Sequence, residues 1–271
     1  MTETALVAAL PMYDGPDLAA ANDALWARIA LGLRQRGVEA PESLTRGAEL
    51  MALWRSPRLV FAQTCGYPYM TALGNSVVLI ATPEYGFPGC DGVLHKSFLV
   101  KRADDPRREL ASFRGARAAV NAWDSNTGMN LFRAAVAPLA GGRPFFGAVA
   151  VTGSHAASLA AVADGRADLA AVDCVVFALL SRSQPALAAR VAVVGESRPS
   201  PGLPFIASAA LPAATVAAAR EALIEALADP ALAEARAALG LVGARPLAPG
   251  HYERVLDLAR EAAEAGYPQL A

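Results

Sequence analysis

The stretch Val149-Ala150-Val151-Thr152-Gly153-Ser154-His155-Ala156-Ala157-Ser158-Leu159, closing at Asp164-Gly165-Arg166-Ala167-Asp168-Leu169-Ala170-Ala171-Val172-Asp173, decides the fold. It reads as a buried strand, a glycine turn, a Ser-His pair opening a short helix, a glycine stop, and a second strand ending in an aspartate. A helix start of this kind carries partial positive charge and unpaired N–H donors, which makes it a ready anion site. A second donor-rich turn lies just upstream, at Ala118-Ala119-Val120-Asn121-Ala122-Trp123-Asp124-Ser125-Asn126-Thr127-Gly128-Met129-Asn130. Two such turns in one α/β chain point to a protein that grips a small oxyanion.

Outward from this stretch, strands and helices alternate: strand 116–120, helix 126–139, strand 148–152, helix 155–163, strand 169–172, helix 174–181. That rhythm predicts a mostly parallel sheet with helices on both faces. Upstream, Leu6 to Leu10 reads as a strand, followed by a helix from Pro16 to about Arg36, a helix over 45–54, and strands at 59–62 and 77–81. Downstream, 191–194 reads as a returning strand and 195–204, rich in Pro, Gly and Ser, as a loop. Two apolar stripes close the chain, one of Val216, Leu223, Ile224 and Leu227, the other of Tyr252, Val255, Leu256 and Ala259. The economical division is a discontinuous first lobe (1–97 and 195–271), an inserted second lobe (98–194) and a hinge of two crossing strands.

Composition narrows the function. The 271 residues are 54% hydrophobic and 18% charged, which suits a packed globular protein. A formal charge of −1 leaves no basic stripe for a nucleic-acid partner. The apolar runs are of strand length, so no direct membrane insertion is expected. The N-terminus has no basic start and reads as strand rather than secretory signal, so the sequence leaves both a periplasmic and a cytoplasmic location open. Cys65 and Cys90, both in loops of the first third, are candidates for a bridge, and Cys174 reads as a small buried residue.

The candidate ligand-binding residues fall at element ends. Ser125 is placed to cap its helix, and Gly128 lets the backbone come close to a ligand; an ordinary cap that binds nothing is the rival reading. Ser154 and His155 open the next helix, whose positive end favours a neutral imidazole, and Ser158 shares their face. Asp173 either faces the ligand crevice at the carboxyl end of its strand or caps the helix that begins at Cys174. Gln63 and Thr64 follow a strand end, and Tyr13 and Tyr85 lie on loops where an apolar ring with a polar tip suits ligand contact. No catalytic set emerges. His95, His155 and His251 lack metal-binding spacing, and no cofactor motif is present.

On these residues, and most specifically from Ala118 to Asp173, the chain resembles the phosphate/phosphite/phosphonate-binding proteins of ABC transporters. The resemblance spans essentially the whole chain. It implies the type II periplasmic binding-protein fold, a two-lobed clamp that closes on a tetrahedral oxyanion, with an ABC permease as partner. It makes Ser125, Asn126 and Thr127 oxyanion donors, His155 a further contact, Asp173 the acidic contact to a protonated or amino end, and Tyr85 a first-lobe partner. Asn126 departs from the small hydroxyl residue common in relatives that bind phosphonates. Relatives of the fold also serve as cytoplasmic sensors or cofactor-precursor enzymes, and these are the alternative expectations.

Overall fold

Leu59–Gln63 and Leu169–Asp173 are buried at every position, as strands covered on both faces must be. Each lies inside its own five-stranded sheet. The computed structural model describes residues 5–271, and these divide into two compact units: residues 5–86 with 202–251, and residues 87–201 with 252–271. Met1 to Thr4, part of the N-terminus read above as strand, lie outside the described residues.

Unit 1 carries a sheet in the spatial order Val7–Ala9, Leu59–Gln63, Phe205–Ser208, Val77–Tyr85, Leu241–Arg245. Val7–Ala9, Leu59–Gln63 and Val77–Tyr85 run one way, and the other two strands are antiparallel to their neighbours. Trp26, Phe61 and Phe205 form an aromatic row, with ring centroids 6.0 and 5.1 Å apart along it. Helix Ala19–Gln35 packs on helix Ala213–Ala228 through their smallest residues. A Cβ on Gly32 would stand 2.9 Å from that of Ala222, so the glycine sets how close the two helices come.

Unit 2 carries the order Val191–Glu196, Ser97–Arg102, Leu169–Asp173, Arg117–Val120, Ala148–Val151. Only Ser97–Arg102 runs against the other four. The core beneath gathers Phe113, Phe132, Phe145, Val120 and Leu169 with Tyr267 and Leu270 from the end of the chain. A small sheet of Ser200–Pro201, Leu94–His95 and Cys90–Asp91 belongs to the same unit.

The alternating pattern predicted helices 155–163 and 174–181 and their flanking strands closely. Both sheets are nonetheless mixed, because in each a reversed strand is inserted among like-directed ones. The helix expected over 45–54 covers only Leu50–Trp54. It starts where the Glu49 carboxylate accepts the amides of Met51 and Ala52 at 2.9 and 2.7 Å. Part of the expected 195–204 loop is strand, since Glu196 ends one strand and Ser200–Pro201 pairs with Leu94–His95. Ile224 is 43% exposed, as the packed face of its helix is Ala218, Ala219, Ala222, Leu223 and Ala226. The chain passes between units at 86–87, 201–202 and 251–252, three passages where two were expected. The third carries helix Glu253–Glu264 into unit 2, where the sequence reading had kept it with the first lobe. Among the described residues no helix is long and apolar enough to cross a membrane.

Candidate functional site

The first donor-rich turn of unit 2 follows strand Arg117–Val120. Ser125 has extended backbone, and its Oγ accepts the Gly128 amide at 2.9 Å, so it caps the helix that follows. The opening turn, Asn126–Asn130, is wound wide: the Asn130 amide reaches the Ser125 carbonyl, five residues back, at 3.0 Å. Such widened turns recur at functional sites. Regular helix then runs over Leu131–Ala140. Gly128 is required here by its neighbours. A Cβ would fall 1.7 Å from Asn121 Oδ1 and 3.0 Å from His155 Cε1.

The second turn meets the first. Ser154 Oγ accepts the Ala157 amide at 3.1 Å and caps helix His155–Ala163. His155 Nε2 stands 3.0 Å from Thr127 Oγ1. The openings of the two helices are therefore adjacent, joined through one imidazole and one hydroxyl. With Gly128 and Ala157 capped, the amides of Thr127 and Ala156 lie in opening turns, where no intrahelical carbonyl can reach them. Burial holds the His155 ring below its usual pKa, against the pull of the Asp173 carboxylate and the Ala171 backbone. Its neutral ring offers one donor and one acceptor.

Three expected contacts have other work. Asn126 is 1% exposed, donates through Nδ2 to Ser200 Oγ at 3.0 Å, and accepts through Oδ1 from Asn130 Nδ2 at 3.0 Å. Asn130 continues this internal network to the Val255 carbonyl and to Arg133, at 3.0 and 2.8 Å. Ser158 is fully buried, its hydroxyl 2.6 Å from Thr152 Oγ1 at the end of the preceding strand. Asp173 turns inward. Its Oδ1 accepts the amides of Val175 and Val176 at 2.9 and 3.1 Å, and its Oδ2 stands 3.9 Å from His95 Nδ1. Burial alone would raise its pKa, but His95, His155 and the Val176 amide outweigh that and bring it below the usual carboxylate value. Asp173 thus caps the helix that begins at Cys174.

No bridge joins Cys65 to Cys90, and none of the three cysteines is in a disulfide. Cys90 Sγ lies instead 3.5 Å from Cys174 Sγ. The Cys174 thiol draws the Cys90 pKa down to about 7 against burial, while the same contact and burial push Cys174 up.

In unit 1 the remaining candidates gather at the carboxyl ends of the three like-directed strands, where open α/β sheets bind ligands. Tyr13 meets Tyr85 edge to face, with centroids 5.3 Å apart. Gln63 Nε2 donates to Tyr85 Oη at 3.2 Å and to the Leu203 carbonyl at 3.1 Å. Trp54 Nε1 donates to the Gln63 carbonyl at 3.1 Å and stiffens the strand end. Thr64 is fully buried, and its Oγ1 has no partner among the described residues. Sequence reasoning passed over Asn121, Ser97 and Ser200. Ser97 Oγ fixes the Thr127 carbonyl at 2.7 Å from a strand far away in the chain, which no local pattern signals.

A sequence profile of the family described as "ABC transporter, phosphonate, periplasmic substrate-binding protein" matches residues 7–252. The chain belongs to this family. Its members are substrate-binding components of transporters, so the protein is a solute-binding protein and not an enzyme. Solved structures share the fold of this phosphonate-binding family member at low identity. A Xanthomonas citri protein bound to chloride ion has a TM-score of 0.74 at 19% identity, covering 96% of this chain and 98% of its own. The binding protein component of an ABC phosphonate transporter from Pseudomonas aeruginosa has 0.74 at 16%, covering 97% and 88%. PhnD1 from Prochlorococcus marinus, in complex with methylphosphonate, has 0.73 at 14%, covering 96% and 98%. No curated protein sequence matches the chain.

Proposed function

We propose that this solute-binding protein takes a small tetrahedral oxyanion of the phosphonate, phosphite or phosphate class for an ABC permease in the periplasm. The observation that carries the reading is the 3.0 Å approach of His155 Nε2 to Thr127 Oγ1, which puts two helix openings side by side. Each opening adds positive dipole charge and amide donors, and an oxyanion placed there meets both sets. Thr127, with its hydroxyl and amide, and His155 are the principal contacts. Ser125, Gly128 and Ser154 shape the turns that present them. In unit 1, the buried Thr64 hydroxyl is a separate candidate contact for an anionic oxygen, since an unpaired buried hydroxyl is costly. Tyr13, Gln63 and Tyr85 support it as a rigid surround.

Charge-assisted hydrogen bonds of this kind contribute about 1.5–3 kcal/mol each. Three or four of them, after desolvation and association costs, correspond to about micromolar affinity. Titration calorimetry with methylphosphonate, phosphite and phosphate tests the reading. Thr127→Ala and His155→Ala should each weaken the best of these ligands at least about tenfold, one lost bond of this class. Wild-type affinity in both variants would overturn the site, and no binding of any of the three would overturn the ligand class.

A further inference from the structure

A second cluster in unit 2 supplies none of the contacts proposed for the oxyanion, although its Asp173 carboxylate acts electrostatically on the His155 ring. Cys90 and His95 are directly opposite each other across the hairpin of Cys90–Asp91 and Leu94–His95, so their side chains share a face. Asp173 and Cys174 come to the same place from the end of strand Leu169–Asp173. Three backbone bonds lock the segments together: Lys96 amide to Gly89 carbonyl at 3.0 Å, Cys174 amide to Lys96 carbonyl at 3.1 Å, and Cys90 amide to Phe87 carbonyl at 3.1 Å. Gly89 makes the approach feasible. It has a φ of +88°, and a Cβ there would stand 2.7 Å from Cys174 Cβ.

The side-chain atoms converge within this frame. His95 and Asp173 are 0% and 1% exposed, and Cys174 is fully buried. One ligand atom from each of these three lies within 4.8 Å of the others. Cys90 Sγ adds a second sulfur 3.5 Å from Cys174 Sγ. We propose that Cys90, His95, Asp173 and Cys174 form a binding site for a thiophilic divalent cation, zinc(II), buried in unit 2.

The spacing lies within a few tenths of an ångström to about half an ångström of what such an ion needs. With Zn–S bonds of about 2.3 Å in a tetrahedron, the two sulfurs should stand roughly 3.8 Å apart. The observed 3.5 Å is a few tenths short of that. An imidazole nitrogen and a carboxylate oxygen on the same ion should be about 3.3 Å apart, and His95 Nδ1 and Asp173 Oδ2 are 3.9 Å apart. Two sulfurs, one imidazole and one carboxylate form a donor set that suits zinc over magnesium or calcium, which take oxygen ligands. Binding replaces the thiol protons with the metal, and each ligating thiol releases its proton to solvent. The second oxygen of the carboxylate is already fixed: Asp173 Oδ1 accepts the Val175 and Val176 amides at 2.9 and 3.1 Å, which orients Oδ2 toward the cluster.

The test uses the full chain, reduced and stripped with a chelator, and two probes, zinc(II) and cobalt(II). One equivalent of cobalt(II) should give thiolate-to-metal charge-transfer absorption and the intense visible bands of a tetrahedral ion. Zinc should displace it at one equivalent. Cys90→Ser, at a half-buried position of the hairpin, should weaken zinc at least about tenfold in competition with a chromophoric chelator. His95→Gln should do the same. Absence of a thiolate band in the wild-type protein would overturn the site without any variant, and so would unchanged affinity in folded Cys90→Ser. Oxidation of Cys90 and Cys174 to a disulfide, with no metal band in the reduced protein, would also overturn it.

Discussion

The two places where candidate residues gather, one in each unit, are built by different means. At the strand ends of unit 1, polar side chains hold one another: Gln63 binds Tyr85, and Tyr85 packs on Tyr13. At the helix openings of unit 2, side chains cap backbone, and the paired Thr127 and His155 stand between the caps. The first arrangement is rigid and largely self-satisfied. The second leaves donors in opening turns, where an anion gains most. An anion at those openings would draw its binding energy from unit 2, while among the unit 1 candidates Thr64 keeps a hydroxyl without a partner among the described residues.

The strongest challenge to this contrast is Gly128→Ala. Its Cβ would collide with Asn121 Oδ1 at 1.7 Å and would also stand 3.0 Å from His155 Cε1. We expect a loss of about 3 kcal/mol in chemical denaturation, together with loss of ligand binding. A stability within about 0.5 kcal/mol of wild type would show that the turn is loosely packed.

The next effect separates the units by function. Thr127→Ala should cost affinity and little stability, whereas Gln63→Ala should cost stability, about 1–3 kcal/mol, because it leaves the Leu203 carbonyl buried without its donor. Calorimetry and melting curves on the two variants would show the opposite pattern if unit 1 carried the main contacts.

Acid offers a smaller and more specific probe. The folded-state pKa of His155 is held below the ordinary 6.5 by burial. Its contribution to stability is thus complete above about pH 6.5 and is lost as pH falls through the folded value. Melting temperature should decline on that limb, and His155→Gln should flatten it. A wild-type curve that follows the variant's would remove burial of a neutral imidazole from the account.

The smallest effect is expected for Tyr85→Phe. It removes one of the two acceptors of Gln63 Nε2, keeps the aromatic packing on Tyr13, and should cost about 1 kcal/mol. A large drop in affinity would move Tyr85 from surround to contact.

How much of this was legible in the chain follows from the range of the forces involved. The caps at Ser125 and Ser154 are local: a hydroxyl and an amide three residues on, which sequence spacing reveals directly. The purpose of Gly128 is not local, because the group that fills its space is the Asn121 side chain on the far side of the turn. Asp173 reads equally well as cap or as ligand contact until His95 arrives from a hairpin nearly eighty residues earlier. That hairpin also gives Cys90 its neighbour: Cys65 is in unit 1, while Cys90 and Cys174 are both in unit 2. Ile224 reads as buried from its hydrophobicity alone, whereas the close approach at Gly32 and Ala222 favours alanines on the packed face. The placement of 252–271 escaped for a similar reason. The apolar stripe of an amphipathic helix shows that it needs a surface, not which one.

Backbone amide shifts during a titration with methylphosphonate test the central idea most directly. The largest changes should fall on Thr127, His155 and Ala156, with downfield movement as their N–H groups meet negative charge. Saturable binding that leaves those amides unmoved, with the largest shifts elsewhere in the chain, would contradict it.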